Sequence, residues 1–156
     1  METASIAHIK KELQSQTPEQ LLALCIHLAK YKKENKEVLD YLLFKSHDVE
    51  MYKNLVKEEV AFLFEEINLN SIFFVKKSLR KILRLVNKYC KYASHSTTTI
   101  ELLLFYCQQL KNMEINYKSN LAILSIYENQ VKKIKKEILK LHEDLQFDYE
   151  QELLGL

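Results

Sequence analysis

The apolar positions of residues 71–92, SIFFVKKSLRKILRLVNKYCKY, gather on one side of a helix drawn at about 100° per residue. With Lys76 as origin, Lys76, Lys77, Arg80, Lys81, Arg84, Lys88 and Lys91 fall within an arc of about 140°. The other arc carries Ile72, Phe74, Val75, Leu79, Ile82, Leu83, Leu85, Val86, Tyr89, Cys90 and Tyr92, interrupted by Ser78 alone. No acidic residue occurs between Glu66 and Glu101. The pattern predicts one helix that seals one flank against the protein and presents like charges on the other.

The same spacing organises the rest of the chain. Residues from about Ser5 to Leu13 predict a short first helix with Ile6, Ile9 and Leu13 on one side, and residues 1–16 read as a frayed or docking N-terminal end. Thr17-Pro18-Glu19-Gln20 is a start signal, with Thr17 as cap, Pro18 in the first turn and Gln20 closing a capping box. In the helix that follows, Leu21, Leu22, Leu24, Cys25, Leu28 and Ala29 are expected inward, and Lys30, Lys32 and Lys33 suit its C-terminus. A third helix is expected over Glu37 to Phe44. A fourth runs over about Val49 to Ile67, capped by Asp48, with Tyr52, Leu55, Val56, Leu63 and Ile67 aligned and Glu58, Glu59, Glu65 and Glu66 on its polar side.

That acidic helix precedes the basic one across a short corner, so an antiparallel hairpin with partly neutralised charge is expected. Thr98-x-x-Glu101 reads as a second capping box. The helix after it, about Thr99 to Lys111, is apolar nearly all round and belongs in the middle of the fold. A long last helix is expected within residues 117–145. Its Leu124, Tyr127, Val131, Ile134, Ile138, Leu141 and Leu145 recur at steps of three and four, a heptad seam for another helix. QFDYEQELLGL can add one short helix.

Composition reinforces the helical reading. The 156 residues include one Gly and one Pro, and sheets need turns that those residues favour. The expectation is therefore an all-α single domain over 1–156, with six to seven helices as stacked antiparallel αα-hairpins in an irregular bundle. A short HEAT-like or TPR-like superhelix is the alternative, although the residue signature of neither repeat is present.

Net charge is +2, so any attraction to an anionic partner must come from local segregation. Cys25, Cys90 and Cys107 lack metal or redox spacing and sit in apolar runs, as buried thiols of a reducing compartment do. METASIAHIKKELQ contains no uninterrupted hydrophobic region, and no stretch approaches about 18 apolar residues, so neither a signal peptide nor a membrane span is expected. The expected location is cytoplasmic.

The order of these elements carries a resemblance. The chain has a short helix, Thr17-Pro18-Glu19-Gln20-Leu21-Leu22, Tyr41-Leu42-Leu43-Phe44, and an acidic-then-basic pair. Glu101-Leu102-Leu103-Leu104-Phe105-Tyr106 and Asn116-Tyr117-Lys118-Ser119 follow. In this it resembles a group of small bacterial helical proteins classed as a domain of unknown function. The resemblance implies a standalone intracellular bacterial protein and transfers no catalytic residue.

Little else points to chemistry. His8, His27, His47, His95 and His142 are scattered, without metal-ligand spacing. His47-Asp48 with Glu50 reads as a helix start, His142-Glu143-Asp144 as a solvated stretch near a helix end, and Ser96-Thr97-Thr98-Thr99 as a polar helix start. A phosphate-cradling loop needs glycine, and the only glycine is Gly155. No catalytic residue, cofactor, metal or small-molecule substrate is expected, and the chain reads as a non-enzyme.

Two binding roles follow. One is an interaction module that takes a protein partner or a second copy, supported by the heptad seam and by nine Tyr and seven Phe. The alternative, not the favoured role, is non-specific binding of nucleic acid or an acidic partner by the face of Lys76, Lys77, Arg80, Lys81, Arg84, Lys88 and Lys91, to which the last helix adds Lys132, Lys133, Lys135, Lys136 and Lys140.

Overall fold

The computed structural model describes residues 2–156. Among the described residues there are eight α-helices and no strand: α1 (Ile6–Gln14), α2 (Pro18–Tyr31), α3 (Lys33–Asp40), α4 (Val49–Glu65), α5 (Ile72–Ala93), α6 (Ser96–Asn112), α7 (Leu121–Ile138) and α8 (Glu143–Leu154). The chain is all-α, as its composition implies. Where the sequence reads as one domain, the contacts group it into two compact units, residues 1–44 and residues 45–156.

In residues 1–44 the helix starts are those the sequence announces. Ser5 caps α1. Thr17 and Gln20 form the reciprocal capping box of α2, the Thr17 N–H donating to Gln20 Oε1 at 2.8 Å and the Gln20 N–H to Thr17 Oγ1 at 3.3 Å. α3 begins at Lys33, four residues before the expected start, and continues into a single π-turn at Tyr41–Lys45. It packs on α2, with the Asn35 amide donating to the Leu28 carbonyl at 2.9 Å. None of α1, α2 and α3 buries a side chain. The inward placement expected for Leu22, Leu24, Cys25 and Leu28 is therefore not found, and all four are exposed. A small set of short helices has little volume in which to bury its apolar positions.

Residues 45–156 do enclose one. α6 packs against α4, α5 and α7, and buries Ile100, Leu102, Leu103, Leu104, Tyr106, Cys107 and Leu110. That is the central placement expected of a helix apolar all round. α4 contributes Tyr52, Val56, Val60 and Phe64, a stripe at steps of four that leaves Leu55 exposed. α5 contributes Val75, Leu79, Ile82, Val86, Cys90 and Tyr92. The Tyr106 hydroxyl, deep in this core, donates to the Leu79 carbonyl at 3.0 Å, and its ring meets Phe64 edge-on at 5.4 Å.

Two readings need correction here. The Thr98-Glu101 capping box does not form. α6 starts at Ser96, and Thr98 is buried with no partner for its hydroxyl among the described residues. Glu101 turns to Lys53 of α4 instead. The long helix within residues 117–145 is also not one helix. A 3₁₀ turn at Tyr117–Ser119 precedes α7, whose first N–H groups are capped by Asn120. At Ile138 the helix tightens, with the Lys140 and Leu141 N–H groups bonding carbonyls three residues back. His142 is extended, and Glu143 and Asp144 then supply carboxylates to the first turn of α8, where the helix dipole favours them.

Candidate anion-binding surface

α5 is a rod of 22 residues, about 33 Å long. Its C-terminus closes on Ser94, which adopts the left-handed conformation (φ 55°), returns its N–H to the Cys90 carbonyl and donates its hydroxyl to the Lys91 carbonyl at 2.8 Å. The buried stripe holds the helix by one flank. On the other, Lys77, Arg80, Lys81, Arg84 and Lys91 are exposed and Lys76 and Lys88 half-exposed. All seven predicted cations thus share one outward face.

The expected neutralisation by α4 is not what α4 does. Glu59 accepts the Tyr89 hydroxyl at 2.7 Å. Among the described residues, no carboxylate comes within ion-pair distance of Lys76, Lys77, Arg80, Lys81, Arg84 or Lys91. Lys88 lies over the Tyr89 and Tyr92 rings, 5.1 and 5.9 Å from their centroids. By spacing, 76/80, 77/81, 80/84, 84/88, 77/80, 81/84 and 88/91 are neighbouring like charges. At roughly 0.2–0.5 kcal/mol each, their repulsion totals on the order of 2 kcal/mol at low salt. A bound polyanion would relieve it.

α7 extends the surface. Lys133 Nζ hydrogen-bonds Asn87 Oδ1, and Asn87 sits on the cationic arc of α5. Lys136 lies on the same flank of α7 by spacing, and Lys140 follows in the turn after the helix. Lys140 pairs with Glu137 at 2.7 Å, and that bond, with the Ser96 hydroxyl, holds the Glu137 carboxyl below its usual range. Lys132 and Lys135 are exposed on other parts of α7.

The predicted seam is divided among environments. Ile134 and Ile138 are buried, Leu124, Tyr127 and Val131 are half-buried, and Leu141 and Leu145 lie beyond the end of α7, with Leu145 exposed. The buried stripe of α7 is Ile123, Ile126, Gln130, Ile134 and Ile138. Val131 and Ile138 line a groove of about 470 Å³ whose other wall is Leu153 and Leu154 of α8.

A second charged cluster was not read from the sequence. Lys53 is buried, only 4% exposed, and its Nζ lies 2.7 Å from both carboxylate oxygens of Glu101 and also pairs with Glu50. The Tyr149 hydroxyl donates to Glu101 at 3.0 Å, and Lys57 approaches it at 3.8 Å. Burial alone would lower the Lys53 pKa. The Glu101 and Glu50 carboxylates outweigh it and hold the value above that of an ordinary lysine. Burial and Glu101 likewise raise Tyr149. A lysine kept charged in this way is no nucleophile at neutral pH, and the cluster serves to join α4, α6 and α8. Nothing in the sequence pairs Lys53 with Glu101, because the two lie on different helices.

The five histidines are all exposed, and among the described residues no three His, Cys, Asp or Glu side chains group to hold a metal ion. Among the described residues no helix is long and apolar enough to cross a membrane. No protein-family model, curated protein or solved structure matches this chain.

Proposed function

We propose that this protein is a non-enzymatic, cytoplasmic binding module. Its working surface is the cationic face of α5, continued by Lys133 and Lys136 of α7 and by Lys140 just after it, and its partner is the phosphate backbone of duplex nucleic acid. The hairpin pairing of α4 with α5 keeps that face outward. The observation that carries the reading is the run of exposed cations on one rigid helix, six of them without a carboxylate partner among the described residues. Tyr89 and Tyr92 sit beneath Lys88, and Phe73, exposed on the cationic arc, offers one ring rather than the succession of stacking platforms a single strand requires, which favours a duplex. With only backbone contacts, sequence is not read.

The test is retention of labelled duplex DNA, duplex RNA and polyglutamate across a salt series. If four phosphates are neutralised, the log–log slope of affinity on salt for DNA is about −3.6. The triple variant Lys77→Glu, Arg80→Glu, Arg84→Glu is expected to lose retention while keeping its helical circular dichroism. Retention that survives in the variant, or tighter binding of polyglutamate than of either duplex, overturns the reading.

A second reading, docking of a protein on the helical surface, rests on a separate observation. Residues 1–44 keep most of their apolar side chains in solvent.

A further inference from the structure

The outer face of α2 is complementary to itself. Glu19, Leu22, Ala23, Ile26, His27 and Lys30 line one shallow depression of about 440 Å³. Their steps of three and four make a single stripe along the helix. Leu22 is 65% exposed and Ile26 44%, and no residue of α2 is buried. The stripe is apolar in the middle and carries an anion at its N-terminal end and a cation at its C-terminal end.

That order is what an antiparallel copy requires. A two-fold axis crossing the helix between Leu24 and Cys25 sets Glu19 against the partner's Lys30, and Lys30 against the partner's Glu19. Ala23 then faces Ile26 of the partner subunit, and the small side chain leaves room for the large one. Leu22 faces the partner's His27. Helix dipoles oppose in this arrangement, and the contact is isologous, so it closes at two copies. None of α1, α2 and α3 buries a residue, and the copy supplies a layer against the apolar middle of the α2 stripe.

We propose that two copies of this chain associate through α2 as a two-fold antiparallel helix pair. This surface is separate from the cationic face of α5, and the inference does not rest on the polyanion reading. A single helix pair is smaller than a standard interface, so the dissociation constant is expected on the order of 10–100 µM.

Sedimentation equilibrium of the full chain, from roughly 5 to 500 µM at low salt without nucleic acid, tests it. A monomer–dimer equilibrium is expected. Ile26→Glu, at an exposed position, should leave a folded monomer throughout. Glu19→Lys and Lys30→Glu each set like charges against each other twice and should weaken the dimer about tenfold or more. The double variant Glu19→Lys, Lys30→Glu restores both pairs and should return to within about threefold of the parent. The double variant retains any loss of helix capping from Glu19→Lys, so recovery reports the pairing and not the cap. A monomer at every concentration, a dimer indifferent to Ile26→Glu, a larger assembly, or a double variant that does not recover each overturns the proposal. The triple variant on α5 should dimerise like the parent, which keeps failure of this inference distinct from failure of the nucleic-acid reading.

Discussion

Residues 1–44 and residues 45–156 have the same helical pattern and opposite uses for it. Both are built from helices with apolar positions at steps of three and four. In the second unit the stripes of α4, α5, α6 and α7 become an interior, because α6 packs against the other three. In the first, α2 packs on α3 without burying a residue of either helix, and Leu22, Leu24, Ile26 and Leu28 remain exposed. Periodicity tells which side of a helix is apolar. Whether that side leaves water depends on how many helices assemble around it.

The contrast can be broken most directly in the core. Leu103→Ala removes a fully buried side chain from the central helix and should cost about 2–5 kcal/mol in a urea titration. Ile6→Ala, at a position 81% exposed, should stay within about 0.5 kcal/mol. Equal costs at the two sites would remove the distinction between the units.

A charge-pair comparison comes next in size. Glu101→Ala leaves Lys53 buried beside Glu50 alone and should cost about 3 kcal/mol. Glu34→Ala, which breaks the exposed pair with Lys32 in the first unit, should cost under about 0.5 kcal/mol. The Lys53 pKa is raised in the folded protein. Its contribution is therefore complete below the ordinary lysine pKa and is lost as pH rises through the raised value. Urea midpoints of the parent should fall faster than those of Glu101→Ala once the pH passes about 10.5. Parallel pH curves for the two proteins would argue against this assignment.

The smallest effect is one of reactivity. Burial raises the Cys90 thiol to about 11 and the Cys107 thiol to about 12, while Cys25 of α2 is exposed. At pH 8 a thiol reagent should label Cys25 alone in dilute native protein, and Cys90 and Cys107 only once denaturant opens the second unit. Rapid native labelling of Cys90 or Cys107 would show that the interior of the second unit is open.

Much of this was legible in advance where a signal is local. The capping box at Thr17 and Gln20, the cap at Asp48, the single long helix through Ser71–Tyr92 and the all-round apolar character of α6 need only neighbours within a turn or two. The failures are of the opposite kind. The apolar rhythm from Leu124 to Leu145 continues through the break after Ile138, because Leu141 and Leu145 keep the step of three and four. The acidic pair Glu143-Asp144 was the available sign of a new first turn. Thr98 and Glu101 have capping-box spacing, yet tertiary contacts claim Glu101 for Lys53.

From residue order alone came the helical class, the flank of α5 that carries charge and the flank that is sealed. Those follow from backbone geometry and from the cost of hiding charges or exposing apolar side chains, both settled residue by residue. Only the folded arrangement decided that, among the described residues, no carboxylate of α4 reaches Lys76, Lys77, Arg80, Lys81, Arg84 or Lys91, and that Lys53 is buried against Glu101. The same arrangement decided that the stripe of α7 faces inward while that of α2 stays in water. Each of these depends on which helix lies beside which, and that choice is made by packing between residues far apart in the chain.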